Sequence, residues 1–350
     1  MDSFIFGIVD QSPIRQEGSA EDALRETVEL AKLADIWGYK RYWVAEHHNS
    51  DGYAGTAPEI LISQIAANTK NIIIGSGGVM LSHYSALKVA ETFRILNSFY
   101  PDRIELGIGR APGSDHQTAA ALAYPRPQMD INQFPQQVAD LIGFMSGTLH
   151  DDHYFSNIKA QPGPSPNSIP NIWLLGSSDF SARLAAALGL PFSFADFFGT
   201  SAEHGPMIVD LYRQQFQPSN YCSEPKVNVA LQVICSETQS EADFIASSRD
   251  IARINRLKGI RGPMMKPEEA SKIQFSPQEL YHLEQTGKHI IQGDPQYVKA
   301  GILDASARYH TNEISIVTNC YYFDHRTTSF KLISEIFGLN HSSSESSFTT

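Results

Sequence analysis

Short apolar runs alternate with segments of helical periodicity along almost the whole sequence. Eight runs of strand length are rich in Val, Ile and aromatic residues, and apolar residues recur at helical spacing between them. The strand-like runs are Phe4–Val9, Tyr39–Ala45, Asn71–Ser76, Arg103–Ile108, Ile172–Leu175, Pro191–Ala195, Val227–Cys235 and Asn312–Val317. Eight strand–helix units in 350 residues predict an α/β fold, a closed (β/α)8 TIM barrel with insertions. An open doubly wound sheet is the alternative, but the first run lacks the glycine pattern of dinucleotide-binding folds.

Two stretches interrupt this alternation. Residues 150–170 are rich in Pro, Ser and Asn, and residues 257–294 carry several Gly and Pro around a helical centre. We expect one barrel domain over residues 1–340 with insertions at these two places, the second being either a lid over the site or a solvated excursion. The Ser/Thr-rich residues 341–350 are predicted to be a disordered tail.

Composition and charge exclude several classes of partner. The net charge of -11 disfavours nucleic acid and anionic membranes. The 3 cysteines are widely spaced and indicate neither a disulfide framework nor a zinc site. The chain has no signal-peptide pattern at its start and no apolar run long enough to span a membrane. These features predict a cytoplasmic protein.

The ends of the predicted strands carry the candidate site, because a (β/α)8 barrel places its active site there. Gly176, Ser177 and Ser178 precede a helix whose N-terminus can bind an anion, and Arg110 follows the neighbouring strand. Together they predict a phosphate cradle. Helix capping is the alternative role of the serines.

Two further strand ends are polar or glycine-rich. Gly77 and Gly78 allow the backbone to approach a flat ligand, or else form a bulge or tight turn. Glu46, His47 and His48 follow the second strand, where adjacent residues point to opposite sides. Proton transfer or hydrogen bonding by one histidine is favoured over a metal site, because no ligand spacing accompanies the pair. A capping role for the histidine remains open.

Several stretches, in this order, resemble the bacterial luciferase-like flavin monooxygenases. They are YWVAEHHN, IIIGSGGVML, FYPDRIELGIGRAPGSD and WLLGSSDFSARLAAALGLPFSFADFF. The resemblance covers roughly residues 3 to 338 and is greatest to the single-gene oxidoreductase branch. It implies a barrel that binds reduced FMN from a separate NAD(P)H:flavin reductase. It also implies that O2 and the bound flavin oxidise a small organic substrate, and that two copies form a homodimer through helices on one side.

The resemblance also implies roles for individual residues. His47 matches the family's catalytic histidine near the flavin, and Glu46 and His48 match its neighbours. Gly77 and Gly78 match a non-prolyl cis peptide behind the flavin ring. The matches to the phosphate-binding residues are Arg110, Ser177, Ser178 and Ser181, with Gly176 opening the same loop.

The sequence departs from light-emitting luciferase at two of these positions. Gly109 stands where the large luciferase subunit has a cysteine, and Ser177 stands where it has a glutamate. Neither departure supports light emission. Phe6, Trp173, Phe197 and Phe198 are expected either to wall the substrate or to belong to the core. The alternatives in function are a deazaflavin-dependent hydride-transfer enzyme, a flavin-binding protein without turnover, and a metal-dependent barrel hydrolase.

Overall fold

The computed structural model describes residues 4–111, 113–163, 169–199 and 202–339, and the helices and strands below lie within these ranges. The strands are β1 Ile5–Asp10, β2 Arg41–Val44, β3 Ile73–Ser76, β4 Val79–Met80, β5 Ile104–Gly109, β6 Asn171–Gly176, β7 Phe192–Ala195, β8 Val227–Cys235, β9 Ile291–Gly293 and β10 Glu313–Val317. The α-helices are α1 Ala20–Ile36, α2 Pro58–Asn68, α3 Ala86–Phe99, α4 His116–Ala123, α5 Phe134–Ser146, α6 Asp179–Ala187, α7 Gly205–Gln215, α8 Gln239–Leu257, α9 Pro267–Ala270, α10 Pro277–Gly287, α11 Pro295–Tyr309 and α12 Phe323–Phe337.

Eight of these strands close into a parallel barrel. The order around the barrel is β1, β2, β3, β5, β6, β7, β8 and β10, and β10 pairs with both β8 and β1. Each of the eight predicted strands is present, with its ends within two residues of the prediction. The (β/α)8 prediction is therefore confirmed, and the open sheet is excluded by the β1–β10 pairing.

Alternate residues of each strand face the barrel interior or the helices, because successive strand side chains point to opposite faces. In β2, Trp43 joins a buried interior cluster with Val9 and Trp173. Its neighbours Tyr42 and Val44 belong to the main core between the strands and the surrounding helices. The interior cluster lies directly below the strand ends that carry the candidate site.

Local capping signals fix several helix starts. Ser19 and Asp22 form the predicted capping box at α1, with the Asp22 N–H donating to Ser19 Oγ at 3.1 Å. The Asp294 side chain caps α11, whose first residue is Pro295. The last helix, predicted from Thr327, begins at Phe323, because its first turn has no side-chain cap that the sequence could reveal.

The excursion near the end of the chain is larger than predicted. β8 continues beyond its barrel neighbour β10, and Val233–Cys235 pairs with β9 instead. α8 packs on α9, α10 and β9, whereas α11 packs between α7 and α12 in the outer ring. Residues 236–294, here called the cover segment, therefore include α8 as well as the predicted 257–294. The apolar periodicity of a long amphipathic helix is the same whether the helix packs in the outer ring or in an excursion, so the sequence did not reveal where α8 packs.

The first predicted insertion is irregular where it is described. Residues 147–163 and 169–170 contain turns but no helix or strand, while 164–168 lie outside the described residues. The predicted tail 341–350 also lies outside them. Among the described helices, none is both long enough and apolar enough to cross a bilayer.

Candidate active site

Glu46, two residues after β2, is fully buried and receives three hydrogen-bonding groups. Its Oε1 atom lies 2.8 Å from His48 Nε2 and accepts a bond from the Tyr84 hydroxyl at 2.7 Å. Its Oε2 atom accepts the Met80 N–H at 2.9 Å. Burial and the Glu46 charge raise the pKa of Tyr84, so its hydroxyl stays protonated as a donor. Glu46 therefore joins the end of β2 to β4 through the Met80 N–H. Its carboxylate also faces the imidazole of His48.

His47 has different surroundings from those of His48. Its ring stacks on Tyr53, with centroids 4.6 Å apart and planes inclined by 26°. Its Nδ1 atom is buried and has no hydrogen-bond partner among the described residues. Burial, followed by the charge of Arg256, lowers the pKa of His47 to about 4. His47 is therefore a neutral imidazole at pH 7, and its buried Nδ1 atom has no hydrogen-bond partner among the described residues.

The peptide bond between Gly77 and Gly78 is cis, as the family resemblance implies. This bond lies against the barrel interior, since a Cβ on Gly77 would stand 3.0 Å from the Trp43 side chain. A Cβ on Gly78 would stand 2.7 Å from the Gly107 carbonyl oxygen. Only glycine fits at the second position, because any side chain there would clash with the backbone of β5.

Arg110 and the α6 N-terminus lie side by side. The Arg110 guanidinium lies over the ring of Phe180, in the first turn of α6. Ser178 is the N-cap of that helix, and its hydroxyl accepts the Ser181 N–H at 3.5 Å. A Cβ on Gly176 would stand 2.3 Å from Ser181 Oγ, so Gly176 allows the loop to fold onto the helix. Ser177 is partly exposed between them. Ser178 thus has the capping role predicted for these serines, and anion binding by the loop stays a prediction.

Glu105 organises the barrel interior below these residues. It accepts hydrogen bonds from Arg41 Nε at 2.6 Å, Trp43 Nε1 at 2.8 Å and Trp173 Nε1 at 3.1 Å. The buried Arg41–Glu105 ion pair thus fixes both indole rings. Trp173 is therefore a core residue and does not wall a substrate cavity.

The other three residues that could wall the substrate or belong to the core lie in two different places. Phe6 packs against Phe4 and Phe337 on the helix side of β1, so of its two expected roles it takes the one in the core. It points outward because it alternates with the inward-facing Gly7. Phe197 packs on the interior cluster and on Phe198, which is 52% exposed. These two remain at the barrel mouth.

The cover segment reaches the loop that follows β2. Arg256 Nη2 donates to the Tyr53 hydroxyl at 3.2 Å. Tyr53 and Arg256 were missed from the sequence, since nothing in their spacing relates residues two hundred positions apart. Glu105 had a visible signal, because it is a charged residue inside the apolar strand RIELGIG. In the part of the chain that the structure describes, no group of three His, Cys, Asp or Glu side chains is arranged to hold a metal.

The family model described as luciferase-like monooxygenase matches residues 4–309. The chain belongs to the luciferase-like monooxygenase family. Membership makes it an oxidoreductase of the monooxygenase type. An Escherichia coli (strain K12) luciferase-like monooxygenase is 38% identical over 95% of this chain and 96% of its own length. The N-acetyl-S-alkylcysteine monooxygenase of Bacillus subtilis is 34% identical over 94% of this chain and 96% of its own length.

Solved structures of the family share the fold. Apo-MsnO8 superposes with a TM-score of 0.88 at 31% identity, covering 97% of this chain and 100% of that one. The oxygenating constituent of 3,6-diketocamphane monooxygenase from Pseudomonas putida was solved with FMN. It gives a TM-score of 0.68 at 19% identity, covering 96% of this chain and 98% of its own. The second likeness supports the fold alone.

Proposed function

We propose that this protein is a flavin-dependent monooxygenase that uses reduced FMN and O2 to oxidise a small organic substrate. One observation carries the proposal. The neighbouring strands β2, β3, β5 and β6 end, in that order, at His47, the cis Gly77–Gly78 peptide, Arg110 and the Ser178-capped helix. A neutral imidazole, a glycine pair and an arginine beside a helix N-terminus thus follow one another along one side of the barrel mouth.

The residues present fit FMN. Arg110 and the α6 N-terminus, with Ser177, Ser178 and Ser181, would hold the phosphate, because guanidinium forks and free helical N–H groups both bind phosphate oxygens. The Gly77–Gly78 segment would lie against the flavin ring, since it follows β3 at the barrel mouth and Gly77 is partly exposed. Binding of FMN would need both the phosphate-holding residues and the glycine pair, whereas a metal-dependent hydrolase would need neither.

The chain's own residues would bind and orient the reactants. Reduced FMN, when bound, supplies two electrons that let one oxygen atom enter the substrate while the other leaves as water. As a neutral imidazole, His47 can give or accept a proton at a ring nitrogen. Its pKa of about 4 keeps the ring neutral above about pH 5. Glu46 and His48 would act on the same reaction by fixing the segment that carries His47.

The partners follow from the same proposal. A separate NAD(P)H:flavin reductase would supply reduced FMN, and two copies of the chain would form a homodimer. The three cysteines are free and buried, which suits a cytoplasmic location. The acidic net charge of -11 provides no general surface for nucleic acid or membranes.

Competition binding under anaerobic conditions tests the cofactor. Reduced FMN, reduced riboflavin and a reduced deazaflavin cofactor would be titrated into the same protein. We expect FMN to bind best, and riboflavin to bind about 10- to 100-fold more weakly because it lacks the phosphate. Preferential binding of the deazaflavin would overturn FMN in favour of hydride transfer. Binding of FMN without oxygen consumption, in the presence of a reductase and NAD(P)H, would indicate a flavin carrier.

A further inference from the structure

Tyr53 connects His47 with the cover segment. One face of its ring is stacked on the His47 imidazole. Its hydroxyl accepts a hydrogen bond from Arg256, which lies near the end of α8. A single side chain thus touches the candidate catalytic histidine at one end and the cover segment at the other.

The backbone around Tyr53 is fixed by two loops. Tyr53 forms an antiparallel bridge with Pro13, and the Ala54 N–H donates to the Ser12 carbonyl at 2.9 Å. The next residues of the β1 loop pair in turn with the cover segment, where the Met264 N–H donates to the Ile14 carbonyl at 2.8 Å. The position of Tyr53 is therefore determined by the β1 loop, which also anchors the cover segment.

The contact between the cover segment and the β2 loop is close. A Cβ on Gly52 would stand 2.7 Å from the carbonyl oxygen of Gly262. A displaced cover segment would remove the close approach at Gly52 and the hydrogen bond to the Tyr53 hydroxyl, while the bridge from Tyr53 to Pro13 would remain. The ring that covers one side of His47 would then lose its support.

We propose that Tyr53 and Arg256 are positioning residues for His47, which hold its imidazole in one orientation and keep it neutral while the cover segment is seated. The inference rests on the proposed role of His47 in the flavin reaction. Tyr53 excludes water from one face of the imidazole. Arg256 holds Tyr53 and adds a positive charge that opposes protonation.

The charges around His47 agree with this assignment. Burial is the largest cause of its lowered pKa, and Arg256 is the next. Glu46 acts in the opposite direction, and His48 opposes protonation weakly. Glu46 is already bonded to His48, Tyr84 and Met80, so it forms no hydrogen bond with His47 among the described residues. Removal of Arg256 or of the Tyr53 ring that shields the imidazole should therefore make His47 easier to protonate.

Histidine NMR titration of the flavin-free protein tests the inference, with the His47 signal assigned by its loss in His47→Gln. In Arg256→Gln and in Tyr53→Ala, the pKa of His47 should rise from about 4 towards its ordinary value of 6.5. Arg256→Lys should stay near wild type, because it keeps the charge. Arg261→Gln is the matched control, since Arg261 lies in the same segment but approaches Asp115. Tyr53→Phe preserves the stack and should shift the pKa less than Tyr53→Ala.

Two results would overturn the inference. One is a His47 pKa that equals the wild-type value both in Arg256→Gln and in Tyr53→Phe. Neither of these variants is as disruptive as Tyr53→Ala. The other is an equal shift in Arg261→Gln, which would reveal a general charge effect. A second measurement is the pH profile of reduced-FMN oxidation, whose acidic limb should move to higher pH in Arg256→Gln. If wild type and His47→Gln oxidise reduced FMN alike, the proposed role of His47 in the flavin reaction fails, whatever the titration shows.

Discussion

The guanidinium carbon of Arg110 lies 4.1 Å from the centroid of the Phe180 ring. The first residue follows β5 and the second belongs to the first turn of α6, so the contact fixes a positive charge beside a helix N-terminus. Cation–π contacts of this kind orient a guanidinium while leaving its N–H groups free in the plane. This relationship between two barrel units is the structural basis of the proposed phosphate site.

Removing Arg110 should weaken FMN binding selectively. We expect Arg110→Ala to bind reduced FMN about 10- to 100-fold more weakly, and to bind riboflavin almost as wild type does, because the lost bonds are to phosphate. Isothermal titration under anaerobic conditions measures both affinities. Arg126→Ala, which removes an exposed arginine elsewhere, serves as the control. Equal weakening of both flavins would contradict the phosphate assignment.

Replacing Glu46 by glutamine should destabilise the fold. The side-chain amide introduced by Glu46→Gln would present N–H groups to Tyr84, Met80 or His48, where the carboxylate now accepts hydrogen bonds. The expected cost is about 1–3 kcal/mol, since a buried donor would be left unpaired. Urea unfolding measures the loss, and Glu237→Gln at an exposed site is the control. If the two variants are equally stable, the Glu46 network contributes nothing to stability.

Asp196 should make stability depend on pH. Burial raises its pKa to about 6, although Arg308 and Tyr309 oppose the rise. A folded-state pKa above the unfolded value of 3.8 means that its contribution is fully present below pH 3.8 and is lost as pH rises through 6. We therefore expect Asp196→Asn to be more stable than wild type at pH 7.5 by up to about 3 kcal/mol, with the gap closing near pH 4.

Thermal unfolding across pH 4 to 8 checks the Asp196 prediction. Asp151→Asn, at an exposed position, is the matched control and should give a pH-independent difference. A stability difference between wild type and Asp196→Asn that grows as the pH falls would contradict the raised pKa of Asp196.

The homodimer prediction points to α2 and α3. These neighbouring helices expose large apolar side chains, with Ile60 63% and Phe99 74% accessible. If they form the interface, the double variant Ile60→Asp and Phe99→Asp should be a monomer while wild type is a dimer, because a buried unpaired carboxylate is costly. Light scattering after size-exclusion chromatography gives both masses. The control variant Tyr154→Asp, which changes an exposed aromatic residue elsewhere, should have the same mass in solution as the wild type. A monomeric wild type would refute the prediction.

Much of the fold was readable from local patterns. Each barrel strand appears as a short apolar run, and the Ser19 and Asp294 caps follow from their immediate neighbours. The assignment of candidate residues to strand ends needed only the barrel topology. The opposite directions of His47 and His48 followed from strand geometry.

Contacts between distant segments were not readable in this way. The Tyr53–His47 stack and the Tyr53–Arg256 bond depend on how the cover segment folds back over the β2 loop. The sequence left two roles open for Phe6, because an apolar residue in a barrel strand can face either the interior or the helices, and only the register decides. The cis peptide at Gly77 came from family resemblance, since two glycines alone do not specify it.

Rapid mixing tests the central claim most directly. The protein would be loaded anaerobically with reduced FMN and mixed with oxygenated buffer while the flavin absorbance is recorded, for wild type and His47→Ala. The account predicts that wild type binds reduced FMN and forms a long-lived absorbing species before oxidised FMN appears. In His47→Ala, binding should stay within a few-fold while coupled product formation falls about 100-fold. Absence of binding, or oxidation at the rate of free flavin in both proteins, would contradict it.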